Sequence, residues 1–218
     1  SDTHQVIYLD HRGCGRSTGE KETWHLDQWA DDIAIFCSTL GISSPVVFGQ
    51  SFGGMVAMHY AVRHPKGISK LILSSTAAQF RLDETVKMMR KLGGTRAADV
   101  AREFFSNPSK VAYDTYGQVC LPLYSNPNVP AAGAFRDRAI ERPEVAFHFF
   151  SDEMAQMDMR AEIANITCPT LVIGGAVDPV TPPICSEAIA DAIGDNARLQ
   201  MLEGCGHGPH RDNPKGAE

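Results

Sequence analysis

The residues around Ser51 are the first in this sequence whose types and spacing could perform a reaction. Positions 49 to 53 read GQSFG and fit the pattern G-x-S-x-G. In that pattern the serine takes strained backbone angles on a tight turn from a strand into a helix, and the glycines remove side chains that would collide there. A glycine-rich turn with an ordinary serine would show the same residues. Because an apolar run precedes the pattern and a plausible helix follows it, we predict that Ser51 is a nucleophile.

A serine hydroxyl is a weak nucleophile at neutral pH and needs a neighbouring base that a third group orients. Of the eight histidines, His207 is the best placed, because it ends a flexible GCGH loop just after the last apolar run. Active sites of α/β proteins gather at such strand ends. His210 is the main rival. The other histidines precede position 51, follow it on the next helix or lie in a helical segment: His4, His11, His25, His59, His64 and His148.

Asp178 is the acid that we expect to orient the base. It follows the apolar run at 170–173 through a GGAV segment, and Pro179 and Pro182 stiffen the loop behind it. An aspartate in a turn before a proline is the alternative interpretation. Asp191 and Asp195 are poorer candidates, because they lie in or after a predicted helix.

These three residues follow runs of apolar residues that predict buried strands. The runs occupy positions 5–10, 45–48, 70–74, 170–173 and 198–202. Apolar residues at helical spacing predict helices at 26–40, 55–64, 85–92, 97–105, 144–157 and 183–193. Strands that alternate with helices indicate an α/β class with a mostly parallel sheet flanked by helices.

Strand patterns disappear between Thr76 and about Asn165, and helical patterns take their place. A long helical insertion between two strands of a sheet is typical of a lid or cap. We therefore predict a core made of residues 1–76 and 166–218, with residues 77–165 as an inserted helical lid.

The composition excludes several classes of function. The 218 residues carry a formal net charge of -6, which argues against nucleic acid or an anionic membrane as a partner. No apolar run is long enough to span a bilayer, and the first ten residues lack the features of a signal peptide. The six cysteines match no zinc module. We interpret them as reduced thiols of a cytoplasmic enzyme, with three disulfides of a secreted chain as the alternative.

Taken together, these motifs resemble the α/β-hydrolase superfamily over essentially the whole chain. The resemblance rests on the DHRGCGRS stretch at 10–17, the turn at 49–54, the acid loop at 174–182, the histidine loop at 204–207 and the helical insertion between them. The nucleophile, acid and base also occur in the order of that superfamily. Within it, residues 10–17 and 24–32 resemble the proline iminopeptidase-like branch, although related esterases and C–C bond hydrolases share much of this signal.

The resemblance implies roles for five residues. Ser51 would attack a carbonyl, His207 would take and return its proton, and Asp178 would hold the imidazole. The backbone N–H of Phe52 would donate to the oxyanion, and Phe52 and Gln50 would lie at the substrate. No metal ion or organic cofactor is implied.

Three functions remain open from the sequence. The first, which the resemblance favours, is a proline iminopeptidase-like aminopeptidase that releases N-terminal proline from a short peptide. The second is an esterase, lactonase or C–C bond hydrolase that acts on a small apolar molecule. The third is a ligand-binding protein on the same fold without catalysis.

Two departures from the superfamily lead us to expect a chain truncated at both ends. The superfamily begins with strands ahead of the run at 5–10, and its His-Gly loop, which supplies a second oxyanion donor, lies in that earlier part. It also continues into a closing helix beyond the KGAE sequence at 215–218.

Overall fold

The computed structural model describes residues 3–126 and 139–217. Residues 1–2, 127–138 and 218 lie outside the described residues, together with the parts of the predicted core and lid that fall on them. The described residues form a parallel sheet flanked by helices, so the predicted α/β class is confirmed.

The sheet has four described strands, in the order in which they occur along the chain. They are β1 (Val46–Gln50), β2 (Lys70–Ser74), β3 (Thr170–Gly175) and β4 (Ala197–Leu202). All neighbours pair in parallel, and the register sets Gln50 opposite Ser74 and Ser74 opposite Ile173. The carboxyl ends of the strands therefore meet at one edge of the sheet, and the loops that follow them face the same side.

Eight α-helices occur in the described residues. They are α1 (Leu26–Thr39), α2 (Phe52–Arg63), α3 (Leu82–Ser106), α4 (Lys110–Val119), α5 (Pro143–Ser151), α6 (Arg160–Ile163), α7 (Pro183–Ile193) and α8 (Pro209–Asp212). Helices α1, α2 and α7 connect or flank the strands of the sheet. The described residues between β2 and β3 hold α3 to α6.

The core forms where the apolar stripes of α1 and α2 meet the sheet. Helix α1 buries Leu26, Trp29, Ala30 and Ile33, which lie on one face because they are spaced three and four residues apart. Helix α2 contributes a nearly continuous buried stretch from 54 to 58. Such complete burial holds the helix that follows Ser51 firmly against the strands.

The strand predicted at 5–10 is wrong, because these residues form no ladder with any strand of the described chain. They run along the surface, and the Tyr8 side chain is 92% exposed. A strand needs a neighbour to take its backbone N–H and C=O groups. An apolar run therefore predicts a strand only if such a neighbour is present, and the run itself does not contain that information.

One helix prediction is confirmed and another needed correction. The helices predicted at 85–92 and 97–105 lie on either side of Gly94 in α3, where the backbone leaves the helical conformation, with φ 73° and ψ -169°. The helix predicted at 144–157 ends at Ser151. Beyond that end, the Glu153 carboxylate accepts a hydrogen bond from the backbone N–H of Leu26, at 2.9 Å. This long-range contact, which satisfies a free N–H at the start of α1, leaves no sign in the helical spacing of the sequence.

Two further observations concern the surroundings in which the chain could work. Across residues 3–126 and 139–217, no helix is both long and apolar enough to cross a membrane. All six cysteines fall within these residues, and all six are free thiols.

Candidate active site

Ser51 lies on the turn between β1 and α2, where its backbone takes φ 52° and ψ -122°. This positive φ is unusual for a residue with a side chain, and it costs energy that the surrounding structure must offset. The turn brings backbone segments very close together, because a Cβ on Gly49 would collide with the backbone oxygen of Gly53. The sharp turn that the pattern predicts is present.

The glycines of this turn differ in whether the structure has room for a side chain at their positions. Gly49 is required by the close approach of the α2 backbone. At Gly53 nothing lies close to the place where a Cβ would stand, so the expectation that a side chain would collide there is wrong for this glycine. Gly54 is the second tight position, since a Cβ there would strike the Thr76 side chain.

The structure brings Ser51, His207 and Asp178 together. The Oγ of Ser51 lies 2.9 Å from Nε2 of His207. The Nδ1 of His207 lies 2.9 Å and 3.0 Å from the two carboxylate oxygens of Asp178. The three residues come from loops that follow β1, β3 and β4, so the meeting of parallel strand ends at one edge of the sheet accounts for their proximity.

Asp178 is fully buried and is held in its charged form by several donors. The backbone N–H groups of Val180 and Thr181 donate to Oδ1 at 2.8 Å and 3.0 Å. The Thr181 hydroxyl donates to Oδ2 at 3.0 Å. Burial opposes the charge, but the His207 ring and these amides outweigh it and hold the pKa of Asp178 below its usual value. A charged Asp178 accepts a hydrogen bond from the Nδ1–H group of His207, which leaves Nε2 unprotonated and able to accept a hydrogen bond from the Ser51 hydroxyl.

The loop that carries His207 is fixed by backbone contacts. The N–H of His207 donates to the carbonyl of Tyr124 at 2.7 Å, and the N–H of Gly206 donates to the Asp212 carboxylate at 2.7 Å. A Cβ on Gly175, at the end of β3, would collide with the Gly206 carbonyl. The loop is thus packed directly on the strand that leads to Asp178.

A cavity of about 120 Å³ opens beside Ser51 and His207. Apart from those two residues and Thr181, aromatic and aliphatic side chains line it, drawn from both the sheet edge and the helical segment. The described lining includes no aspartate, glutamate, lysine or arginine. The apolar lining consists of Phe52, Met55, Phe80, Phe104, Phe105, Tyr124, Phe149, Phe150, Met154 and Val180.

Of the two neighbours of Ser51, Phe52 lines the cavity and Gln50 does not. The ring of Phe52 lines the cavity and packs edge-on against Trp29 and Phe149, with centroids 4.9 Å and 5.0 Å away. Its backbone N–H opens α2, where N–H groups have no acceptor within the helix. Gln50 is not among the residues that line the cavity. Its side chain instead reaches the backbone of His207.

The rival histidines lie elsewhere. His210 belongs to α8, and its ring packs edge-on against Phe48, with centroids 5.8 Å apart. His59 and His64 contact carboxylates of α1. His59 contacts Asp27, and His64 contacts Asp31. The ring of His11 lies 5.8 Å from that of Phe52, and burial lowers the pKa of His11.

Sequence reasoning missed two residues that touch these three. Tyr124 binds His207 through its carbonyl and packs its ring 5.1 Å from the imidazole, and no local signal indicates either contact. Thr181 binds Asp178, and its spacing was a usable signal, since an aspartate commonly accepts from N–H groups two and three residues later. Across 3–126 and 139–217, no group of three or more histidine, cysteine, aspartate or glutamate side chains could hold a metal ion.

Two curated proteins illustrate what this chain is similar to in sequence. The strigolactone esterase of Arabidopsis thaliana is 27% identical over 191 residues, which cover 87% of this chain and 68% of that protein. A proline iminopeptidase of Lactobacillus delbrueckii subsp. lactis is 28% identical over 222 residues, covering 94% of this chain and 74% of the relative.

Solved structures agree on the fold. The crystal structure of a proline iminopeptidase from Mycobacterium smegmatis superposes with a TM-score of 0.74 at 24% identity, covering 94% of this chain and 74% of that one. A family profile described as alpha/beta hydrolase fold matches residues 1–214. With the profile spanning nearly the whole sequence, the chain belongs to the α/β-hydrolase fold family.

Proposed function

We propose that this chain is a serine hydrolase in which Ser51 is the nucleophile, His207 the base and Asp178 the residue that orients the base. The contact of 2.9 Å between Ser51 Oγ and His207 Nε2 carries this proposal. It is supported by the buried, charged Asp178 on the other ring nitrogen, which selects the tautomer that a base requires.

In the first half of the reaction, Ser51 Oγ attacks the carbonyl carbon of the substrate while its proton passes to His207 Nε2. The carbonyl oxygen becomes an oxyanion, and the backbone N–H of Phe52 at the start of α2 donates to it. A donor of this kind is typically worth about 3 kcal/mol of barrier. The bond to the leaving group then breaks, and His207 returns the proton to the leaving oxygen or nitrogen.

In the second half, a water molecule attacks the acyl group on Ser51. His207 takes a proton from the water, and the second tetrahedral intermediate expels Ser51 Oγ, which recovers that proton. The carboxylic acid leaves and the three residues return to their starting state. No metal ion or cofactor takes part in these steps.

The cavity indicates the acyl group that this site would accept. An apolar cavity of about 150 Å³ holds a benzene molecule, and the cavity beside Ser51 measures about 120 Å³. It therefore suits an apolar acyl group of about four to six carbons. Since its described lining contains no aspartate, glutamate, lysine or arginine, the geometry favours an ester with a small, apolar acyl group.

The helical segment from 77 to 165 would act as the lid predicted from the sequence. Phe104 and Phe105 of α3 and Phe149 and Phe150 of α5 supply one side of the cavity. The other side comes from the sheet edge, within the proposed core of residues 1–76 and 166–218. On this proposal the lid selects the acyl group, and the core performs the reaction.

A proline iminopeptidase is the second candidate. It is supported by the relatives of that name, which match 94% of this chain, and the proline ring is small and apolar enough for the cavity. It also needs an acidic group to hold the α-ammonium of the substrate. The described lining offers no carboxylate for that purpose, so this candidate takes second place.

The first experiment is labelling with a fluorophosphonate, followed by peptide mapping. Modification of Ser51 that disappears in Ser51→Ala would support the proposal. No labelling of the wild-type protein would contradict it and would favour a ligand-binding protein on the same fold. Rates on p-nitrophenyl butyrate and on proline p-nitroanilide would then separate the two substrate candidates, since we expect hydrolysis of the ester and none of the anilide.

We also propose the cytoplasm as the working compartment. Thiols that remain free throughout the described chain fit a reducing environment. Thiol counting on the denatured protein after cytoplasmic expression tests this: we expect six titratable thiols, and fewer would contradict it.

A further inference from the structure

We infer that Gln50 is a positioning residue that holds the His207 loop at the distance Ser51 requires; this inference rests on the proposed function. Gln50 is the last residue of β1 and directly precedes Ser51. Its side-chain Nε2 donates to the backbone carbonyl of His207 at 2.6 Å. The amide therefore joins the residue before the nucleophile to the backbone of the base.

Both ends of the Gln50 amide are used. The Oε1 atom accepts a hydrogen bond from the Arg211 guanidinium at 3.2 Å, and Arg211 lies on α8, directly after the histidine loop. The opposite amide orientation would set the NH₂ group against a cation and the oxygen against a carbonyl. The two contacts thus fix the amide orientation, and a side chain with only a donor or only an acceptor could not make both.

Other contacts also hold the loop, but they come from different parts of the fold. His207 N–H binds Tyr124, in the helical segment, and Gly206 N–H binds Asp212, on α8. Gln50 is different because its backbone is continuous with that of Ser51. Movement of the loop relative to the nucleophile must stretch the contact between Gln50 and His207 directly.

The distance that this contact controls matters for the reaction. Ser51 Oγ and His207 Nε2 are at hydrogen-bonding distance, 2.9 Å, and a displacement of about 1 Å can cost on the order of 100-fold in rate. Gln50 does not line the cavity, so it should leave substrate binding unchanged. Loss of the contact should therefore lower kcat and leave KM within about twofold.

Two substitutions at this position separate positioning from packing. Gln50→Met keeps the size of the side chain and removes both hydrogen bonds. Gln50→Glu keeps the contact with Arg211 as an ion pair but sets an acceptor against the His207 carbonyl. A positioning role predicts that Glu is at least as harmful as Met, whereas simple packing predicts that Glu resembles Gln.

The matched control is Gln28→Met. The Gln28 side chain also donates a hydrogen bond, to Asp32 at 3.1 Å, but it lies on α1. We expect kcat on p-nitrophenyl butyrate to fall by about 10- to 100-fold in Gln50→Met and to stay within twofold in Gln28→Met. An unchanged kcat, or a higher KM with unchanged kcat, would overturn the inference. If Gln50→Met fails to fold, Gln50→Glu carries the same test.

Hydrogen exchange gives a readout that does not depend on activity. The amides of residues 205–208 should exchange faster in Gln50→Met than in the wild-type protein, because the loop loses its tie to β1. Unchanged exchange would overturn the role of Gln50 even if the enzyme is active. Conversely, an unlabelled wild-type Ser51 together with faster exchange would contradict the proposed function and would support the structural tie.

Discussion

Two aspartate–histidine pairs in this chain have similar contact distances and very different surroundings. Asp178 lies 2.9 Å from His207, and Asp31 lies 2.7 Å from His64. The side chains of the first pair are 0% and 7% exposed, and those of the second are 34% and 33% exposed. The first pair contacts Ser51 through the other ring nitrogen of His207, whereas Asp31 of the second also binds Arg63.

The difference shows that contact distance does not identify a catalytic pair. An exposed ion pair competes with water and typically contributes about 0–1 kcal/mol to stability. In contrast, the buried Asp178 keeps its charge only because donors are fixed around it, and fixed donors stabilise charge without having to reorganise during a reaction. Burial, the donors and the position at the carboxyl ends of the strands together distinguish the first pair.

Replacing each histidine should give the largest contrast. We expect His207→Gln to lower kcat/KM on p-nitrophenyl butyrate by about 10⁴-fold or more, since the nucleophile loses its base. His64→Gln should change it by less than about twofold. Comparable losses in the two variants would contradict the assignment of the base.

Replacing Asp178 and replacing Asp31 should affect kcat almost as differently as replacing the two histidines. Asp178→Asn keeps the shape of the side chain but offers an N–H to Nδ1, which favours the wrong tautomer, so we expect kcat to fall by about 10³- to 10⁴-fold. Asp31→Asn is the matched control and should retain full activity. A fully active Asp178→Asn enzyme would show that His207 needs no orienting carboxylate.

The donors around Asp178 should matter for stability more than surface donors do. Thr181→Val removes one hydrogen bond to a buried charge, so we expect the free energy of unfolding to fall by about 1–3 kcal/mol in urea titrations. Thr115, on the exposed face of α4, donates to the carbonyl of Val111, and Thr115→Val should change stability by less than about 0.5 kcal/mol. Equal effects would argue against a preorganised Asp178.

The exposed pair, Asp31 and His64, should make a small contribution to the free energy of unfolding that depends on pH. Arg63 and then His64 lower the pKa of Asp31 to about 2, so the folded state favours the charged form. The stabilisation is therefore complete above the unfolded pKa near 3.8 and is lost as the pH falls toward 2.

Comparing Asp31→Asn with the wild-type protein measures this contribution. At pH 7 the substitution should lower the free energy of unfolding by about 0.2–1 kcal/mol. The difference between the two proteins should shrink steadily below pH 4. A difference that stayed constant down to pH 3 would show that the charge of Asp31 does not contribute.

Much of the candidate site could be predicted because its three residues follow strands. Parallel strands end at one edge of a sheet, so residues just beyond β1, β3 and β4 must come close together. That rule depends only on the order of elements along the chain. It located Ser51, Asp178 and His207, which the structure brings into contact.

The remaining features depend on long-range contacts that leave no local pattern. Gln50 and His207 are 157 residues apart in sequence, and a glutamine before a serine gives no sign of its partner. The Glu153 carboxylate, just beyond α5, binds the backbone N–H of Leu26, 127 residues away. The apolar run at 5–10 likewise needed knowledge of a neighbouring strand, which only the assembled sheet supplies.

The backbone conformation of Ser51 implies a trade-off between stability and the proposed activity at a single residue. Its φ of 52° is a conformation that glycine adopts freely and that costs other residues about 1–3 kcal/mol. Substitution of glycine for Ser51 would therefore be expected to raise the stability of the protein and to remove the proposed nucleophile. In a lineage that is no longer selected for hydrolysis, position 51 is therefore an early place to expect substitutions that raise stability and remove activity.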